Sequence, residues 1–99
     1  MEILLNYYNL LINWLNAYKM YVIMELKEFI ENFAAQFDDT DASEFKGETL
    51  FRELDEWSSL IALSIIAMVD EEYDVTLKGD EMRQAETIEE LFNIVKSHK

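Results

Sequence analysis

Two adjacent serines, Ser58 and Ser59, stand directly before the apolar run LIALSIIAMV, and that run ends in DEEYD. One serine has a ready role: its hydroxyl can accept a hydrogen bond from a free backbone N–H and cap the helix that the run predicts. The acids have no such local role. Asp70, Glu71, Glu72 and Asp74 crowd the C-terminal end of the helix, where the macrodipole is negative and each anion costs about 0.3–1 kcal/mol at low salt. A helix built that way is arranged for a basic surface outside the protein. Chemistry of the catalytic kind has little to work with. The one histidine, His98, is next to last in the chain, and neither a Ser-His-Asp arrangement nor a histidine metal cluster can be assembled around it. The expectation is a protein that is not an enzyme.

Composition sets the outer bounds. The 99 residues include no proline, two glycines and no cysteine, and carry a net charge of −13. That length makes one domain with a modest core, and such a composition favours helices. Without cysteine there is no disulfide framework or thiol nucleophile, and a cytoplasmic location is the expectation. The charge excludes a basic nucleic-acid footprint and favours basic partner surfaces.

The charge is uneven. Residues 1–23 hold one acid, Glu2, and one base, Lys19, whereas residues 24–99 hold 20 acids and 7 bases. In MEILLNYYNLLINWLNAYKMYVI, Asn6, Asn9, Asn13 and Asn16 fall on one stripe of a helix, with apolar residues around the rest. Four asparagines make a poor membrane span, and neither a basic start nor a small-residue cleavage site marks a secretory signal. Three readings fit: an additional apolar helix packed on the domain, a helix lying on a membrane surface, or an upstream start-site extension. Met, Ile, Asn, Tyr and Lys fill 14 of these 23 positions. That bias, with Met20 and Met24 as alternative starts, favours the extension. An exposed helix of this kind should self-associate or cover a groove.

The elements after Met24 follow from periodicity. Leu26, Phe29, Ile30, Phe33 and Phe37 form the apolar stripe of a first helix. Residues 38–49 are a polar connection. A calcium loop starting at Asp39 would need glycine sixth and glutamate twelfth, and finds Glu44 and Leu50. In TLFRELDEW, Leu50, Phe51 and Leu54 can fold back on the core. A strong helix runs from Ser59 to Tyr73, with Ile61, Ile65, Met68, Val69 and Tyr73 on its buried side. Residues 74–77 are extended, GDEMRQ forms short turns, and residues 87–98 give a last amphipathic helix with a Thr87–Glu90 capping box. The predicted fold is all-α, a small four-helix bundle with three long helices and one short one.

The stretch SLIALSIIAMVDEEYD, followed by VTL and GDEMRQAETIEELFNIV, resembles the acyl carrier proteins over residues 24–99. Their second helix opens on Asp-Ser-Leu, stays apolar and ends in acids. Ser59-Leu60 matches the Ser-Leu, while Ser58 replaces the aspartate and LDEWS is one residue longer than the usual segment. The resemblance implies an acyl-carrier-like bundle. It also implies that Ser59 carries 4′-phosphopantetheine, installed from coenzyme A by a phosphopantetheinyl transferase. Acyl groups would ride on the arm as thioesters to acyl-transferring and acyl-elongating enzymes of fatty-acid, polyketide or related synthesis. Leu60, Leu63, Ser64, Ala67, Asp70 and Glu71 would form the docking surface for basic patches on those enzymes, and the bundle interior could shelter an acyl chain. A helix N-terminus suits the phosphate. Ser58 could cap the helix while Ser59 holds the arm. A peptidyl or aminoacyl carrier, and an acidic helical adaptor in which Ser59 is only a cap, are the alternatives.

Overall fold

The computed structural model describes residues 2–98, apart from the side chains of residues 22 and 24. The described residues form four α-helices: α1 (Glu2–Ala34), α2 (Ser59–Tyr73), α3 (Gly79–Gln84) and α4 (Ile88–Ser97). Short 3-10 turns at Ala42–Glu44 and Phe51–Glu53 interrupt the long loop between α1 and α2. Residues 74–77 are extended without a strand partner, but Val75 and Leu77 are buried. They anchor the crossing from α2 to α3.

One boundary differs from expectation. The sequence predicts one apolar helix within residues 1–23 and another from Met24. Instead the helix passes through Met24 without interruption, giving 33 residues in one element. Nothing in the sequence before Phe37 is a proline or glycine that would stop it. The first part does not pack on the domain. It projects from the bundle, which stretches the molecule to 60 × 28 × 21 Å, and its large apolar side chains from Ile3 to Ile23 are exposed. Among the described residues no helix is long and apolar enough to cross a membrane.

The bundle closes around aromatic rings. All six phenylalanines of the sequence are buried. Phe33 is their hub, with ring centroids 6.4 Å from Phe29, 5.6 Å from Phe37, 6.3 Å from Phe45 and 5.5 Å from Phe51. Phe92 of α4 meets Phe29 at 5.5 Å, and Tyr73 of α2 meets it at 5.7 Å. Tilted and edge-on rings of this kind add attraction beyond the area they bury. On α2, Ile65, Met68 and Val69 are buried and Ile61 and Tyr73 half-buried, as the periodicity predicts. In the loop, Phe51 is buried and Leu54 half-buried, whereas Leu50 stays 43% exposed. Leu50 is held by its backbone instead, in a single antiparallel bridge to Thr87.

That bridge helps to start α4. The first turn of a helix leaves N–H groups without intrahelical acceptors. Here the loop supplies them: Ile88 N donates to Thr49 O at 3.3 Å and Glu89 N to Gly47 O at 2.9 Å. Thr87 Oγ1 accepts from Glu90 N at 3.1 Å, completing the predicted capping box with Glu90. Gly47 lies close to Glu89: a Cβ there would sit 3.3 Å from Glu89 Oε2, so the exposed glutamate would have to shift slightly. At the other end of α4, His98 is not loose. Its Nε2 lies 2.5 Å from Glu81 Oε2, and Lys96 pairs with Glu25 at 3.0 Å.

Candidate functional site

The serine pair divides its roles. Ser58 has extended backbone angles (φ −155°, ψ 169°) and is the N-cap of α2. Its Oγ accepts from Ile61 N at 3.2 Å, and its carbonyl accepts from Ala62 N at 3.0 Å. Ser59 is the first residue of α2 and is exposed. No hydrogen bond holds the Ser59 hydroxyl among the described residues, and the backbone N–H groups of Ser59 and Leu60 are likewise open to a ligand. A free hydroxyl therefore stands beside the positive end of a 15-residue helix.

The segment leading into this site is tied back to the start of the loop that follows α1. Glu56 spreads its carboxylate over three donors: Asp38 N at 2.7 Å, Asp39 N at 3.0 Å and Thr40 Oγ1 at 2.6 Å. Bonding to Thr40 and to the Asp38 N–H holds the Glu56 carboxyl below the usual carboxylate range. Trp57 follows directly and packs at a tilt against Phe51, with centroids 5.1 Å apart. The clamp and the indole fix where Ser58 and Ser59 emerge. Because the folded-state pKa of Glu56 is depressed, its contribution is present above the unfolded value, about 4.3, and is lost as pH falls through the folded value. Glu56→Gln should lower Tm at neutral pH. The gap from wild type should shrink as the pH drops below the usual carboxylate range, and thermal unfolding followed by circular dichroism at several pH values reads both effects.

The other residues singled out from the sequence share one exposed stripe of α2. Leu60 is 75% and Leu63 63% exposed, and Ala67, Asp70 and Glu71 are exposed below them. Ser64 differs: it is half-buried, and its Oγ donates to Gln36 Oε1 in the turn that follows α1. It thus braces α2 against that turn at the edge of the stripe. Ser64, Ala67 and Glu71 line a shallow polar groove with Asn32 and Gln36. Asn32 Nδ2 also donates to Tyr73 OH at 3.0 Å, which fixes the lower end of the same seam. The helix ends at Asp74, whose φ of 56° is left-handed and whose N–H donates to Asp70 O at 3.0 Å. Aspartate tolerates this conformation better than most residues.

Sequence reasoning missed the groups that act over long separations. The Glu56 clamp spans 16 to 18 residues. Arg52 Nη1 donates to Met82 O at 2.9 Å and to Ala85 O, tying the loop to α3. No local signal marks either. A second, surface groove also runs beside α2. The larger groove, about 620 Å³, opens among Tyr21, Glu28, Tyr73, Phe92, Val95 and Lys96. That is the C-terminal end of α2, about 20 Å along the helix axis from Ser59 at the usual 1.5 Å rise per residue.

The described residues therefore define an all-helical protein with an exposed, unbonded serine at the start of an acidic, apolar-faced helix. No family model, curated protein or solved structure matches this chain.

Proposed function

We propose that this chain is an acyl carrier protein whose Ser59 bears a 4′-phosphopantetheine arm and whose α2 presents that arm to biosynthetic enzymes. The observation that carries this reading is the separation of Ser58, spent on capping, from Ser59, whose hydroxyl is exposed and unbonded. The surroundings of Ser59 fit the group. Open N–H groups at the first turn of α2 favour a phosphodiester anion, and no side chain of the bundle covers the hydroxyl's approach. Bound there, the arm supplies a thiol that holds acyl groups as thioesters, in a chain with no cysteine of its own.

Leu60 and Leu63 offer an apolar contact beside the arm, and Asp70 and Glu71 an acidic one a turn or two below. A phosphopantetheinyl transferase or an acyl-elongating enzyme with a basic rim would meet both. Charges at such a rim govern encounter rate and partner choice more than final affinity. Asp70→Lys combined with Glu71→Lys should therefore slow arm transfer severalfold at low salt and leave the circular dichroism spectrum unchanged. Equal transfer rates for the variant and wild type at low ionic strength would remove α2 as the docking surface. The direct test of the function is intact mass after incubation with a broad-specificity transferase, magnesium and coenzyme A. A mass gain of one phosphopantetheine supports the carrier, and none, beside a control carrier that loads, leaves an acidic helical adaptor.

A further inference from the structure

The projecting part of α1 is arranged as a seam for one more helix. Leu4, Tyr7, Leu11, Trp14, Tyr18 and Tyr21 recur at spacings of three and four. This is the period of an interhelical seam that keeps one face toward a partner. All six are more than half exposed. Trp14 and Tyr18 already stack along that face, with ring centroids 5.8 Å apart. The four asparagines fall on the opposite side of the helix, where solvent would remain. Fourteen large apolar side chains between Ile3 and Ile23 are 38–73% exposed. The six seam residues account for several hundred Å² of that surface, of the order of the ~800 Å² per partner of a stable interface. A lone helix of this length is marginal in water, so the projection calls for a partner.

Charge decides which partner. Residues 1–23 are neutral, and the domain behind them carries the whole −13. An anionic membrane surface would repel that domain, and the helix has no basic face to offset the repulsion. A second copy in parallel would force two domains of charge −13 side by side. A second copy in antiparallel places them at opposite ends of the paired segment. About 35 Å of helix would separate their roots, several times the ~8 Å screening length at physiological salt. The seam is symmetric under that reversal: Leu4 meets Tyr21, Tyr7 meets Tyr18, and Leu11 meets Trp14.

We propose that the projecting helix is an antiparallel homodimerisation element. This inference does not depend on the carrier reading. Sedimentation equilibrium of the full chain at micromolar concentration should give a dimer. Leu11→Glu and Trp14→Glu should give monomers whose bundle still unfolds cooperatively, whereas Asn9→Glu and Asn13→Glu, on the solvent side, should stay dimeric. Orientation follows from mixing Leu4→Cys with Tyr21→Cys chains under mild oxidation, since the protein has no other thiol. The mixed disulfide should dominate. A Leu4→Cys chain that cross-links to itself as readily would overturn the antiparallel arrangement. A wild-type monomer, whether free or bound to neutral phosphatidylcholine vesicles, would overturn the dimer.

Discussion

Ser59→Ala should abolish loading of phosphopantetheine, while Ser58→Ala should load and lose stability. The two side chains are one residue apart and chemically identical, so the contrast isolates position. Ser58 Oγ accepts from Ile61 N, and losing such a cap costs about 1 kcal/mol. Ser59 has no hydrogen bond to lose, so Ser59→Ala should melt within a degree or two of wild type. Intact mass reads loading and thermal melting reads stability. If Ser58→Ala failed to load while Ser59→Ala loaded, the attachment oxygen would be Ser58 and α2 would have to begin one residue later. If neither variant nor wild type loaded, the serine pair would be a capping device alone. If the proposed carrier function holds, Ser58, standing where acyl carrier proteins have an aspartate, gives a further expectation. Ser58→Asp keeps an N-cap acceptor and should preserve both folding and loading.

Phe33→Ala should bring the protein to the edge of unfolding. Its ring is fully buried and touches four other phenylalanines from α1 and the long loop. Truncating a buried phenylalanine costs about 3–5 kcal/mol. A domain of this size has in all about 4–11 kcal/mol at 0.05–0.15 kcal/mol per residue. Urea unfolding followed by far-ultraviolet circular dichroism should show the midpoint fall by half or more, or no folded baseline. Phe37→Ala, whose ring lies nearer solvent at 7% exposure, should cost less. If the two cost the same, Phe33 would not be the hub that its ring contacts make it.

The helices after Met24 were legible because their causes are local. The stripe Ile61, Ile65, Met68, Val69 and Tyr73 gave the buried side of α2, and Thr87 with Glu90 gave the start of α4. The serine pair was legible for the same reason, since an N-cap and its N–H partner are three residues apart. The fate of residues 2–23 was not. A change in composition at Met24 looks like a boundary, but a backbone helix responds to caps and breakers, and none occurs there. The Glu56 clamp was equally hidden. Its donors are two backbone N–H groups and the Thr40 hydroxyl in the loop after α1, and only the finished fold brings them to Glu56. The exposure of Leu60, Leu63, Ala67, Asp70 and Glu71 along one face of α2 follows from their spacing, but the bond from Ser64 to Gln36 joins residues 28 apart and needed the finished fold. The carrier function itself stands on resemblance and on the free Ser59 hydroxyl.

The continuity of α1 sets an angular phase between the two ends of the molecule. Phe29 and Phe33 are locked in the core, and the same unbroken helix carries Trp14 and Leu11 outward. Each residue advances the helix by about 100°. The direction in which the projecting face points is therefore fixed relative to Ser59, like two keys cut on one shaft. Inserting a single alanine between Lys19 and Met20 would turn the outer face by more than a quarter revolution without touching the bundle. Whatever grips that outer face at Trp14 thus also sets where Ser59 points, across about 22 Å of helix to Phe29.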